Sequence, residues 1–264
     1  MPALPSKDWF DAHVSRFEHP DFIADDPISI PHSFSDPADR EVIGLFAALL
    51  AWGQRKTTLN KLAELCARMR YQPAAFVRYF HLERDAEALA GFKHRTFNAE
   101  DAVWLVRILQ ALLLRYGSLE ACFAAHLPAD APDIRPALQG FGDEVLSILP
   151  DVPRRLRKHI PRPSTGSACK RMNLYLRWMV RPGPVDFGQW TQIRPDQLVL
   201  PLDVHVGRQA RRLGLLARTQ DDWRAAAELT AICRRLDPHD PVRYDYVFFG
   251  LGIEAKQTHG HETT

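Results

Sequence analysis

The sequence lacks the features that mark several classes of protein. No apolar run is long enough to span a membrane, and the first residues lack the apolar core of a secretory signal. The four cysteines lie far apart with no CxxC pair, which argues against a disulfide framework and against a zinc or iron–sulfur site built on cysteine. These absences predict a cytoplasmic protein with no membrane partner, no metal and no other cofactor.

Alternation of period two, the mark of a half-buried strand, is also missing outside the short stretch QLVLPL. Apolar residues recur at helical spacing instead, and Asp39 and Asp203 are both placed to cap a helix. We therefore predict an all-α fold with two helical subdomains. Its predicted segments are a lead-in at 1–38 that packs on the second subdomain, a barrel-like helical subdomain at 39–150, a hairpin with the catalytic helices at 151–214, and C-terminal helices at 215–264.

Acidic residues are missing from two stretches of the chain. Residues 152–185 contain nine Lys or Arg and no Asp or Glu, and residues 204–220 contain four more Arg and again no acid. Removing these thirteen cations from the net charge of +2 leaves −11 for the rest of the chain. A basic surface beside an acidic body favours a polyanionic partner. The alternative is that these are ordinary solvated helices.

Two residues in or next to these basic stretches are candidate catalytic groups. Lys170 lies off the apolar stripe of a predicted helix, near Arg177 and Arg181 at helical spacing. Basic neighbours in a desolvated site favour the uncharged amine, which is the nucleophilic form. An N-cap position would fix the orientation of the Asp203 carboxylate, as a catalytic acid requires. A solvated lysine and a purely structural cap are the simpler alternatives.

The order of these residues resembles the helix-hairpin-helix DNA glycosylases of the endonuclease III superfamily. There a lysine follows the hairpin, and an aspartate opens the next helix in a V-D-x-H-x-x-R-like motif, which Asp203, His205 and Arg208 match in PLDVHVGR. The long separation between Lys170 and Asp203 is more similar to the archaeal 8-oxoguanine DNA glycosylase branch. The usual glycine-rich hairpin reads IPRPSTGSACK here. The chain also resembles a bacterial family of helical proteins to which no activity is attached.

The resemblance implies a DNA N-glycosylase with β-elimination lyase activity, acting on an oxidised purine such as 8-oxoguanine in double-stranded DNA. Lys170 and Asp203 would be catalytic. The implied substrate-binding residues are Trp52, Gln54, His205, Asp245 and Phe249, with Gln54 probing the duplex, Asp245 reading the base edge and Phe249 stacking on the base. The implied DNA-binding residues are Arg162, Ser164, Thr165, Gly166, Ser167, Arg171 and Arg208. We expect a monomer associated with the nucleoid.

Two other functions stay open at this point. A non-catalytic DNA-binding or damage-sensing module needs only basic residues and a helical hairpin for its phosphate contacts. A phosphohydrolase of the HD type holds metal ions with His-Asp pairs, and His239-Asp240 is such a pair. That pair lies in DPHDP, where the prolines favour a turn.

Overall fold

The computed structural model describes residues 5–260, with side chains up to Glu254. These residues are mostly helical and contain one two-stranded antiparallel ribbon, so the predicted all-α class is confirmed. Within this part of the chain, no helix has both the length and the apolar character needed to cross a bilayer. In chain order the elements are α1 (Lys7–Phe17), α2 (Ser29–His32), α3 (Pro37–Leu50), α4 (Arg55–Arg68), α5 (Pro73–Arg78), α6 (Leu82–Asp85), β1 (Lys93–His94), β2 (Phe97–Asn98), α7 (Ala99–Tyr116), α8 (Leu119–Ala124), α9 (Arg135–Ser147), α10 (Lys170–Val180), α11 (Val204–Arg212), α12 (Trp223–Leu236) and α13 (Asp245–Gly260).

The chain divides into two compact units. The first unit comprises Met1–Phe22, Pro132–Ile134 and Pro163–Thr264, and the second comprises Ile23–Ala131 and Arg135–Arg162. The ends of the first unit, 1–4 and 261–264, lie outside the described residues. The predicted lead-in is thus divided, since 5–22 belong with the C-terminal helices and 23–38 with α3 to α9. The predicted segment 151–214 is divided in the same way after residue 162.

Helix α3 forms much of the core of the second unit, because its apolar side chains lie on nearly all of its faces. Its N-cap is Asp36, whose carboxylate accepts a hydrogen bond from the N–H of Ala38, so the predicted cap at Asp39 is wrong. Pro37 suits the first helical position, where no N–H is needed, and the helix therefore begins earlier. The carboxylate of Asp39 accepts a hydrogen bond from the N–H of Ala74 instead, at 2.8 Å.

A buried carboxylate fastens residues 151–162 to the second unit. Asp101 is fully buried in the first turn of α7, where it forms a reciprocal capping box with Asn98. The same carboxylate lies 2.9 Å from Nε of Arg155 and 3.4 Å from Nε2 of the buried His159. Residues 151–162 thus include the 3₁₀ helix Arg154–Lys158, which these contacts hold against the start of α7.

In the first unit the earliest helix packs against the latest. The ring of Phe10 in α1 lies 5.3 Å from that of Tyr244 and 6.4 Å from that of Phe248. Asp11 accepts a hydrogen bond from the hydroxyl of Tyr244 at 3.0 Å. Helix α1 is therefore part of the core that supports α13.

The substitution Asp101→Ala is expected to lower the free energy of unfolding by about 3–5 kcal/mol, because it breaks a buried ion pair and a capping box together. Urea unfolding followed by circular dichroism measures the change. Glu100→Ala is the matched control, since Glu100 is the exposed partner of the same Arg155 and should contribute less than about 1 kcal/mol. Equal losses in the two variants would contradict this account.

Candidate lysine–aspartate site

The two residues predicted to be catalytic lie side by side in the first unit. Nζ of Lys170 is 3.8 Å from Oδ2 of Asp203, and their side chains are 30% and 34% exposed. This exposure leaves both groups open to a ligand arriving from solvent, while the partial burial strengthens their electrostatic interaction. Residues that are far apart in the sequence therefore form one polar site.

Asp203 uses its two carboxylate oxygens for different purposes. Oδ1 accepts hydrogen bonds from the backbone N–H groups of His205, at 2.9 Å, and Val206, at 3.0 Å, so the predicted N-cap of α11 is confirmed. Oδ2 faces the amine of Lys170. Because the cap bonds hold the carboxylate, the backbone of α11 sets the direction in which the second oxygen points.

The turn before α10 has an unusual backbone geometry that fixes where Lys170 lies. Cys169 has φ of +51°, in the left-handed region that residues with a side chain seldom adopt. The Oγ of Ser167 accepts a hydrogen bond from the N–H of Cys169 at 3.1 Å. The buried Asn173 donates from Nδ2 to the carbonyl of Ala168 at 3.0 Å. These contacts determine the start of α10, and Lys170 is its first residue.

A buried ionic network begins two turns after Lys170 on the same helix. Arg177 forms an ion pair with Asp245 and lies 3.2 Å from Asp186, which is fully buried. Its guanidinium carbon also lies 4.4 Å from the ring centre of Tyr246, as in a cation–π contact. Arg177 is thus neutralised by acids from two other segments of the chain.

Arg181 extends this network toward the N-terminal helix. It pairs with Asp186 at 3.1 Å, with Asp240 at 2.7 Å, and with Glu18 just after α1. Both cations that the sequence places near Lys170 are therefore engaged in ion pairs. The acid-free stretch 152–185 does not produce a uniformly bare basic surface.

Asp245, predicted to read a base edge, is only 6% exposed. Burial raises the pKa of Asp245 to about 6, against the opposing attraction of Arg177 and Lys170, and the negative charge of Asp203 adds to the rise. Asp245 is thus within electrostatic reach of both candidate catalytic groups. Its contact with a base stays a prediction, and the contact seen in the structure is with Arg177.

The predicted phosphate-binding turn is partly available to a ligand. Ser164, Thr165 and Gly166 are exposed, and Gly166 has φ of +78° with open space where a Cβ would lie. Its N–H, however, already donates to the carbonyl of Pro163 at 3.0 Å. Ser167 supports the turn before α10, as described above. The N–H of Gly166 is therefore already used within the turn, and a ligand can approach only the exposed side of residues 164–166.

The other predicted residues of the first unit differ in their exposure. His205 and Arg208 are exposed on α11. Arg171 is half-buried, and burial lowers the pKa of its guanidinium. Phe249 is half-buried, and its ring meets that of Phe22 edge-on at 6.1 Å. His205 and Arg208 are therefore the side chains best placed to contact a large ligand.

Three predicted residues belong to the second unit. Gln54 is exposed and is the N-cap residue of α4, with no side-chain cap bond. Trp52 is half-buried, and its carbonyl accepts a hydrogen bond from Nε2 of His94 at 3.1 Å. Arg162 pairs with Asp143 at 2.7 Å.

The His239-Asp240 pair lies in a turn, as its prolines predict. The carboxylate of Asp237 accepts hydrogen bonds from the N–H groups of both residues at 3.0 Å. Asp240 in turn pairs with Arg181. In the part of the chain whose side chains are described, no group of three or more His, Cys, Asp or Glu is arranged to hold a metal ion.

Sequence reasoning missed Asp186, which bridges Arg177 and Arg181. The available signal was weak, since Asp186 is simply the first acid after the acid-free stretch. Its partners became evident only when the loop after α10 was seen to fold back, with the N–H of Phe187 donating to the carbonyl of Trp178 at 2.8 Å. Such a return cannot be read from a local pattern.

Comparison with known proteins adds one finding. Residues 26–254 match the model of a family described as "Protein of unknown function (DUF2400)". The chain belongs to the DUF2400 family. The range that matches the DUF2400 model contains every residue predicted for the site, from Trp52 to Phe249. No curated protein and no solved structure matches the chain.

In this DUF2400 member, Asp245→Asn is expected to change how stability depends on pH. The folded pKa of about 6 lies above the ordinary 3.8, so the folded state binds the proton more tightly and wild type loses stability as pH rises through this window. The loss is on the order of 3 kcal/mol at about 1.4 kcal/mol per pKa unit. Asn cannot ionise, so the variant should show a flatter curve in urea unfolding between pH 4 and 7. If the stability of the two proteins changed with pH in the same way, the raised pKa of Asp245 would be refuted.

Proposed function

We propose that this protein is a DNA N-glycosylase with β-elimination lyase activity, which removes an oxidised purine, preferably 8-oxoguanine, from double-stranded DNA. The observation that carries the proposal is the 3.8 Å approach of the Lys170 amine to the free oxygen of the Asp203 cap. It is supported by the match of Asp203, His205 and Arg208 to the glycosylase motif. In this proposal the protein acts as a monomer in the nucleoid.

The first step uses the amine of Lys170 as the nucleophile. Oδ2 of Asp203 is the acceptor near the amine and takes up its proton. Nζ forms a bond to C1′ of the deoxyribose while the bond from C1′ to the base breaks, and the base leaves with a proton. The proton that Asp203 took from the amine passes to the departing base, and the carboxylate, ionised again, stabilises the positive charge left on the sugar.

The second step cleaves the strand. Opening of the sugar ring leaves an iminium between Nζ of Lys170 and C1′. Loss of a proton from C2′ then expels the 3′ phosphate, and water hydrolyses the remaining imine to release the lysine. These reaction steps require a lysine, because a water nucleophile would form no covalent link between the protein and the sugar.

A stacked base must leave the duplex before a half-buried lysine can reach its sugar. Unstacking costs a few kcal/mol. Contacts that the protein makes with the gap in the duplex and with the flipped base offset this cost. In this proposal Gln54 and Trp52 act at the gap, Phe249 stacks on the base, and Asp245 contacts the base edge after releasing Arg177. The exposed Ser164–Gly166 turn, with Arg162, Ser167, Arg171 and the α11 residues His205 and Arg208, faces the phosphates.

Borohydride is expected to trap wild-type protein covalently on a duplex that contains 8-oxoguanine, because it reduces the iminium to a stable amine. Lys170→Gln should form no adduct, whereas Lys158→Gln, which removes an exposed lysine of the second unit, should trap normally. Gel electrophoresis of labelled DNA measures the adduct. Absence of an adduct from wild type across a panel of lesions would reject the proposal, and duplex binding that persists without product would favour the non-catalytic module.

Asp203→Asn is expected to slow base excision by roughly 10²–10⁴-fold while leaving the fold intact. Asn caps helices as well as Asp does, so α11 keeps its start and only the charge facing Lys170 is lost. Single-turnover excision and thermal unfolding measure the two effects. The control is Asp36→Asn, the same change at the N-cap of α3, which should alter neither the excision rate nor the unfolding temperature. An Asp203→Asn enzyme with the wild-type rate would show that the carboxylate is only a cap.

A further inference from the structure

Arg95 is an exposed arginine held in a strained backbone conformation. It lies in the turn between β1 and β2 with φ of +55°, a region that persists in a residue with a side chain only where its surroundings enforce it. Its guanidinium carbon lies 5.2 Å from the ring centre of Trp52. Its side chain also lies so close to Gly53 that a Cβ there would be 2.6 Å from Nη1. The strained turn thus delivers a cation to the junction between α3 and α4.

Two more cations lie at the same junction, next to Gln54. Arg55 and Lys56 are exposed in the first turn of α4, and that turn contains no acidic residue. An open cleft of about 370 Å³ lies beside them, lined by Asp25, Arg55, Lys56, Leu59 and Asn60. We call Gln54, Arg55, Lys56 and Arg95 the Gln54 patch.

The chemistry of the Gln54 patch fits an extended polyanion. Its cations are exposed on an open surface, which suits a strand passing over them more than a small enclosed ligand. The guanidinium of Arg95 is held over the ring of Trp52 and is thereby oriented in advance, as bidentate contact with a phosphate requires. Lys56 is exposed in the first turn of α4, where a phosphate can reach its amine from solvent.

We propose that the Gln54 patch is a binding site for the phosphodiester backbone of duplex DNA, with Arg95, Arg55 and Lys56 as the contacting side chains. The inference rests on the proposed function only in identifying the polyanion as DNA. Each cation that neutralises a phosphate releases counterions, so binding through the patch has a measurable salt dependence. The site belongs to the second unit and requires no chemistry at Lys170.

The test is the affinity of wild type and variants for an undamaged duplex, measured by fluorescence anisotropy over a range of salt concentrations. Arg95→Ala should reduce the slope of log affinity against log salt by about 0.9, and the double variant Arg55→Ala/Lys56→Ala by about 1.8. Arg95→Lys retains the charge and should keep most of the slope. If loss of the Trp52 contact unfolds Arg95→Ala, as circular dichroism would reveal, the double variant carries the test.

Arg70→Ala is the matched control. Arg70 is also exposed, in the same unit and with φ of +56°, but it follows the opposite end of α4, whose 14 residues span about 20 Å. Its removal should leave the slope unchanged. A wild type that does not bind duplex DNA, or slopes that stay at the wild-type value in both patch variants, would overturn the proposal.

Borohydride trapping of the same proteins separates the two proposals. If the patch variants have a reduced slope but wild type is not trapped, the Gln54 patch is retained and the lysine chemistry is rejected. If wild type is trapped but the patch variants keep the wild-type slope, the lysine chemistry is retained and the Gln54 patch is rejected.

Discussion

The candidate site depends on Asp203, because one oxygen of its carboxylate caps α11 and the other faces the amine of Lys170. A side-chain cap stabilises a helix by about 0.5–2 kcal/mol, and here the same bonds orient the oxygen that faces Lys170. In the proposed chemistry, one residue therefore both caps α11 and acts on the lysine. Any movement of the start of α11 also moves the acceptor that the lysine requires, which ties the proposed chemistry to the packing of the first unit.

Charge compensation is the second constraint on the site. The cations of α10 are concentrated in sequence, but the acids that neutralise Arg177 and Arg181 come from four other places, namely Glu18, Asp186, Asp240 and Asp245. Buried ion pairs of this kind contribute little net stability, because desolvation offsets much of their attraction. Their effect is to define the position of α10 by fixing charged partners on several sides of it, and Lys170 is placed accordingly.

Local signals were sufficient to predict part of this arrangement. The all-α class and the cap at Asp203 follow from helical spacing and from an Asp placed just before a helix. The cap at Asp39 was wrong because Pro37 allows an earlier start. The pairing of Asp101 with Arg155 could not be read from a local pattern, because the two residues lie 54 positions apart. The partners of Arg177 and the position of Arg95 could not be predicted, since the former depend on long-range folding and the latter on a positive φ and on contact with Trp52.

The contact between α1 and α13 has a consequence for the newly made chain. Helix α1 is synthesised before its partners, because Tyr244, one of the two rings against which Phe10 packs, lies 234 residues later in the sequence, and Phe248, the other ring, lies later still. Until α13 is made, the apolar face of α1 therefore lacks its native cover and is open to chaperones or to wrong partners. A chain cut short before α13 would leave that face without these partners, so the first unit is complete only once α13 has been made.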